Sequence, residues 1–183
     1  MHSLKREITE LHQALRNSIA KNWNRSLPFA DELFDRWEKA EYLGFGYDSS
    51  IYDSSIVIGD VNVGEKTWIG PNTLLDGSGG LSIGKYCSIS TGVSILTHDS
   101  VKWALSGGKE PYDKMETIIE DCCFVGSNTI INKGVHIGKH SLIGALSFVN
   151  RDVPPFSIAI GVPCRICGKV KIENGQVELV YDE

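Results

Sequence analysis

Aliphatic residues recur at every sixth position along most of the chain. Val57, Val63, Ile69 and Leu75 form one series, Ile83, Ile89 and Ile95 a second, and Ile119, Val125, Ile131, Ile137, Ile143 and Val149 a third. A helix returns to one face after about 3.6 residues, and an ordinary strand does not sustain a six-residue repeat over such a length. A coiled parallel β-structure does. Each hexad forms one flat side, three sides close a coil of about eighteen residues, and coils stack at roughly the 4.8 Å strand spacing. The position two before each aliphatic residue is small or branched (Val61, Thr67, Thr73, Cys87, Val93, Cys123, Thr129, Val135, Ser141, Ser147), as the interior of a narrow prism requires. Gly64, Gly70, Gly84, Gly126, Gly138 and Gly144 follow the aliphatic residue, at corners where a side chain would be costly. The pattern predicts an all-β solenoid of roughly five coils.

The period changes in residues 1–48. Leu4, Ile8, Leu11, Leu15 and Ile19 recur at helical spacing, and Leu33, Phe34, Trp37 and Ala40 do so after Pro28. Two helices are expected there, covering the first coil, whose strand edges and apolar interior would otherwise face water. A share in a substrate pocket is the alternative role. The predicted organisation is a helical region over residues 1–48, the solenoid over 49–170 and a C-terminal tail over 171–183. The repeat is interrupted twice. Leu75 and Ile83 are eight apart, with the extra residues in the segment Asp76-Gly77-Ser78-Gly79-Gly80, and residues 97–118 fit no hexad and are expected to leave the prism as a long loop. Loops of that length in compact folds are usually lids or binding elements.

Composition narrows the partners. A length of 183 residues suits one compact unit, and a formal charge of −5 gives no basic footprint for nucleic acid. Residues 1–18 are interrupted by Lys5, Arg6, Glu7, Glu10 and Arg16, so they lack the apolar core of a signal peptide, and no long apolar run follows. A cytoplasmic location without membrane insertion is therefore expected. The five cysteines suggest thiols rather than a disulfide framework. Cys87 and Cys123 fall at small inward positions, and the lone pair Cys164 and Cys167 reads as local packing, since no second pair accompanies it to complete a zinc site.

The stretch from Ile119 to Val149, followed by Asp152-Val153-Pro154-Pro155 and Ala159-Ile160-Gly161-Val162-Pro163-Cys164-Arg165, resembles the closing signature of the hexapeptide-repeat acyltransferases. The likeness is strongest to sugar O-acetyltransferases of the galactoside and maltose type and their relatives in polysaccharide gene clusters. It runs from about Ile51 to Lys169, and the N-terminal region carries none of it. It implies a left-handed parallel β-helix, acetyl-CoA as acyl donor, and a homotrimer with acceptor and coenzyme sites between subunits. By this resemblance His98, at the base of the excursion loop, is the general base. An imidazole largely unprotonated near neutral pH suits the removal of a hydroxyl proton. Ser127 is implied as the backbone N–H donor to the oxyanion. Asp99, Asp76 or a backbone carbonyl could orient the imidazole. Asn72 and Asp76 are alternatively acceptor-binding residues, and Trp103 either stacks on a sugar face or anchors the loop.

For coenzyme A the resemblance points to Gly144, Ala145 and Gly161 along the pantetheine arm. Phe124, Gly126 and Ser127 stand beside it, and Arg151, Arg165 and Lys169 face the phosphates. Phe124 stands where close relatives often have tryptophan. The implied reaction is O-acetylation of a sugar in surface polysaccharide or lipopolysaccharide modification; N-acetylation of a nucleotide-linked amino sugar is the alternative. Two readings of other classes also arise. A γ-carbonic-anhydrase-like zinc protein would draw on His98, His136 and His140. However, His136 and His140 are four apart rather than five, His136 should point outward and His140 sits at a corner, so no metal is expected. A non-enzymatic scaffold needs neither the histidine-bearing loop nor the Gly-Val-Pro-Cys-Arg ending.

Overall fold

The computed structural model describes residues 2–182, so Met1 of the helical region and Glu183 of the expected tail lie outside the described residues. The hexads fold as a parallel β-solenoid with three faces. On the first face Ser50–Ile51, Trp68–Ile69, Ser88–Ile89, Phe124–Val125, Leu142–Ile143 and Ser157–Gly161 stack in parallel. This makes about six turns, more than the five or so the aliphatic series suggested. The extra rung arises because Ile51 precedes the first series and Ala159 replaces the aliphatic residue of the last coil. The second and third faces share the long strands Ile56–Val63 and Leu74–Ile83, which bend around the edge between them. Ser94–Ile95, Ile130–Ile131 and Phe148–Val149 continue the second face; Thr117–Ile119 and His136–Ile137 continue the third.

Strict register makes like residues coincide inside. Ile69, Ile89, Val125 and Ile143 form one fully buried column, and Leu75, Ile95 and Ile131 form another. Each such side chain contributes about 1.5–3 kcal/mol of burial. The small polar positions serve the corners: Thr67 Oγ1 donates to the Gly84 carbonyl at 2.8 Å and Thr129 Oγ1 to the Gly144 carbonyl at 3.0 Å. The corner glycines are required by close approach of coils rather than by left-handed φ. A Cβ on Gly64 would stand 2.6 Å from the Lys85 backbone nitrogen, whereas the positive φ falls two residues later, at Lys66.

Three helices precede the first coil among the described residues: α1 (His2–Trp23), α2 (Phe29–Leu33) and α3 (Arg36–Tyr42). The second expected helix is split because Asp35 caps α3, its carboxylate accepting from the Trp37 and Glu38 amides. The covering role belongs to α3. Ala40 joins the core, and Lys39 Nζ donates to the carbonyls of Tyr52, Asp53 and Ser55 at 2.9–3.2 Å. Helix α1 instead packs on α2, with His12 against Phe29, and leaves Leu4, Ile8 and Leu11 exposed. At the other end Cys164–Glu173 and Gln176–Tyr181 form an antiparallel hairpin that extends the first face. Most of the residues expected as a tail thus supply paired strand, 171–173 and Gln176–Tyr181. Its alternation of Val170 and Ile172 against Val177 and Leu179 has period two and falls outside the hexad signal.

Residues 98–116 leave the prism as a long loop, whereas Thr117 and Ile118, expected within it, already belong to the third face. His98–Asp99 pairs antiparallel with Asp113–Lys114, α4 (Val101–Leu105) lies between them, and the chain rejoins the third face at Thr117–Ile119.

Candidate active site

Both interruptions of the repeat lie on one edge of the prism, between its second and third faces. In-register pairing of Leu75 with Ile95 places the residues after Leu75 beside those that start the loop in the next coil. The glycines of the smaller insertion permit this contact. The Gly79 amide donates to Thr97 Oγ1 at 2.8 Å, and a Cβ on Gly79 would strike the Thr97 carbonyl. Asp76 and His98 are thereby brought together, with Nδ1 of the imidazole 2.6 Å from Oδ2 of the carboxylate.

Asp76 is 2% exposed. Burial pushes its carboxyl pKa up, but hydrogen bonds from Ser78, from the Thr97 amide and from His98 outweigh burial and hold it well below the ordinary carboxylate range. The charged carboxylate can only accept hydrogen bonds, so the shared proton sits on Nδ1, and in the neutral form of the ring Nε2 then presents a lone pair. Ser78 N donates to Oδ1 at 3.0 Å and Thr97 N to Oδ2 at 3.0 Å, which fixes the carboxylate in turn. A buried carboxylate that orients a partly exposed imidazole is an arrangement suited to general-base chemistry.

Of the two roles expected for Asp76, this geometry favours contact with the imidazole over contact with an acceptor, because both carboxylate oxygens are engaged and buried. Asp99 points away from the imidazole, toward Lys133 and the Val101 amide. Asn72 lies on a different edge, in a corner turn with φ of 56°, where its amide donates to Ser54 Oγ. Trp103, on α4, sets its ring edge-on to Tyr112 at 5.6 Å between centroids, and Tyr112 lies parallel to the His98 ring at 6.2 Å. Tyr112 and Thr97 were not singled out from the sequence. Tyr112 sits in a loop with no period to mark it, whereas Asp76 was already a candidate for orienting the imidazole, and the register that stacks residue 76 beneath the loop separates it from Asp99.

The residues expected to meet coenzyme A divide between two places. Ser127, Gly144, Ala145 and Gly161 follow first-face strands and line the edge between the first and second faces, as the bond from the Leu146 amide to the Ser127 carbonyl shows. Phe124 points outward on the first face, half exposed. Gly126 is required by packing: a Cβ there would strike the backbone of Ala145. Gly161 has φ of 108° and donates its amide to Ser147 Oγ. Arg151 and Arg165 line one cleft of about 240 Å³ at the last coil, together with Asp152, Val153, Ala159, Cys164 and Ile166. Lys169 lies four residues further along its strand, opposite Ser157, and does not line that cleft. Within one chain, therefore, His98 and Ser127 stand on different edges of the prism.

The three histidines also part company. His136 Nε2 lies 2.9 Å from Glu120 Oε1, and His140 stacks on Phe156. Among the described residues no three metal-binding side chains converge, and no helix is long and apolar enough to cross a membrane.

Residues 116–151 match the bacterial transferase hexapeptide (six repeats) family. Over these residues the chain carries the repeats of the hexapeptide transferases. Galactoside O-acetyltransferase of Escherichia coli (strain K12) is 28% identical over 128 residues, covering 59% of this chain and 63% of that protein. The chain thus spans less than two thirds of that relative's length. Among solved structures, a hexapeptide-repeat-containing acetyltransferase from Vibrio cholerae O1 biovar eltor, complexed with acetyl coenzyme A, superposes with a TM-score of 0.63. It is 29% identical, over 87% of this chain and 88% of that one. AntD, an N-acyltransferase from Bacillus cereus in complex with dTDP and 3-hydroxybutyryl-CoA, gives a TM-score of 0.60 at 27% identity, covering 67% of this chain and 69% of that one. The match to the hexapeptide repeat agrees with the solenoid, whose coils these residues build.

Proposed function

We propose that this protein is an acetyl-CoA-dependent acetyltransferase of a sugar hydroxyl, with His98 as general base and Asp76 as its positioning partner. The observation that carries the reading is the 2.6 Å contact between the buried Asp76 carboxylate and His98 Nδ1, at the root of the one long loop. His98 Nε2 takes the proton of the acceptor hydroxyl as that oxygen bonds to the acetyl carbon. Asp76 stabilises the imidazolium so formed, and Nε2 then returns the proton to the departing thiolate. Acetyl-CoA supplies the acetyl group on a thiol leaving group. The backbone N–H of Ser127 meets the negative charge that develops on the acetyl oxygen, and the guanidinium groups of Arg151 and Arg165, which line one cleft, suit the phosphates.

Because His98 and Ser127 occupy different edges, the reading requires His98 of one chain to face the Ser127 edge of another. A homotrimer of parallel prisms provides three such clefts. Similarity to the galactoside O-acetyltransferase supports the hydroxyl acceptor. Similarity to AntD favours a second reading, N-acetylation of a nucleotide-linked amino sugar, for which the same base and donor serve. A role in modifying surface polysaccharide, in the cytoplasm, completes the proposal.

The test is incubation with acetyl-CoA and a panel of free, oligomeric and nucleotide-linked sugars and amino sugars, with products analysed by mass and by treatment with hydroxylamine. An acetyl product cleaved by hydroxylamine is an ester and supports O-transfer; a resistant product is an amide and supports the second reading. No transfer together with no binding of coenzyme A would leave a scaffold.

A further inference from the structure

We infer that Lys133 is a positioning residue that clasps the excursion loop and so holds His98 in place. The inference rests on His98 being the base. The loop returns on itself through a ladder of only two residue pairs, His98 with Lys114 and Asp99 with Asp113. So short a ladder holds weakly, and its second pair sets two carboxylates directly opposite one another, which is unfavourable. Lys133 resolves both problems. It comes from the next coil, just beyond Ile130–Ile131, on the same edge of the prism, and its Nζ lies 2.7 Å from Asp99 Oδ2 and 2.6 Å from Asp113 Oδ2.

The clasp is built into the edge. The Lys133 side chain is only 11% exposed, whereas Lys102, the other cation near Asp113, is 3.8 Å away and 61% exposed. The adjoining Gly134 has φ of 77° and leaves room for the Met115 side chain, which a Cβ would meet at 2.8 Å. Hydrogen bonds with Lys133 hold both carboxyl groups below their ordinary range, and the two carboxylates raise the Lys133 ammonium in turn. Each end of the clasp adjoins the site: Asp99 follows His98 in the chain, and Asp113 follows Tyr112, which lies parallel to the His98 ring. One ammonium group thus fixes the base and the aromatic ring beside it to the rigid coil above.

Lys133→Met keeps most of the side chain's apolar length and removes its charge, leaving Asp99 and Asp113 to repel one another. Amide hydrogen exchange over residues 97–116 should rise about tenfold or more while the prism stays protected. A displaced base should lower kcat by about tenfold to a hundredfold with KM for acetyl-CoA little changed. Lys133→Arg should retain most of kcat. Adding Asp99→Asn to Lys133→Met removes the repulsion and keeps the acceptor for the Val101 amide, so loop protection and kcat should recover together. Unchanged loop exchange, an unchanged kcat, or lost protection throughout the prism would each overturn the inference. Failure of the wild-type protein to transfer any acetyl group would instead overturn the functional reading, and the exchange measurement would still decide whether Lys133 holds the loop.

Discussion

Asp76 Oδ2 and His98 Nδ1 lie 2.6 Å apart, from consecutive coils of the prism and 22 positions apart in the chain. The small glycine-rich insertion and the long excursion meet at this contact, and each is explained by the other. The first supplies a buried carboxylate, and the second carries the imidazole that the carboxylate orients.

Replacing Asp76 by Asn tests that relation. The amide would offer Nδ1 a donor or a neutral acceptor and would no longer enforce the tautomer with a free Nε2. In an analogous triad such a change costs about 10⁴ in kcat, and a loss of about 10²–10⁴ is expected here with KM for acetyl-CoA nearly unchanged. Steady-state kinetics of the wild type and of Asp76→Asn over a range of pH would measure it.

The same carboxylate makes stability depend on acid. Its pKa in the folded chain is depressed below the ordinary 3.8. Its stabilising contribution is therefore fully present above that value and is lost as pH falls toward the folded one. Thermal melts of the wild type between pH 6 and pH 3 should steepen their loss at the acid end, and Asp76→Asn should show a shallower dependence there.

Close stacking of coils predicts a cost at Gly126. A Cβ would stand 2.7 Å from Ala145 Cα and 2.8 Å from Gly144 C, atoms of backbone that cannot rotate away. Gly126→Ala should destabilise the fold by about 1–3 kcal/mol in denaturant titrations. Because Ser127 is its neighbour, kcat should fall as well.

The aromatic pair on the loop should act on the acceptor rather than the donor. Trp103 and Tyr112 are both nearly half exposed beside His98. Tyr112→Ala should raise KM for the acceptor about threefold to tenfold, the scale of one aromatic contact, with KM for acetyl-CoA unaffected. The converse holds for Arg151→Gln with Arg165→Gln, which should raise KM for acetyl-CoA about tenfold or more and leave the acceptor term alone.

The prism was legible because its constraint is one-dimensional. Ile69, Ile89 and Ile143 must stack in register, so a six-residue period appears directly in the sequence. His98 was singled out by the family resemblance together with its place where that period stops, and its role as base is the reading proposed above. The partners of His98 were harder to read. Asp76 was one of several candidates for orienting the imidazole and also a candidate acceptor contact, and the choice between these follows only once coils are laid over one another. Tyr112 and Lys133 have no spacing that marks them, since one lies within the aperiodic loop and the other at an ordinary corner. The hairpin ending in Gln176–Tyr181 was hidden for a similar reason, because its alternation of two is brief beside the hexads. The separation of His98 from Ser127 onto different edges is a matter of which face each strand joins, and it becomes visible only from strand order.

The most direct measurement of the central claim is acceptor-dependent thiol release from acetyl-CoA by the wild type and by His98→Ala, both confirmed as folded and able to bind coenzyme A. The account predicts release by the wild type and a loss of about 10³-fold or more in kcat for the variant, with little change in KM for acetyl-CoA. Release by His98→Ala at the wild-type rate would contradict it.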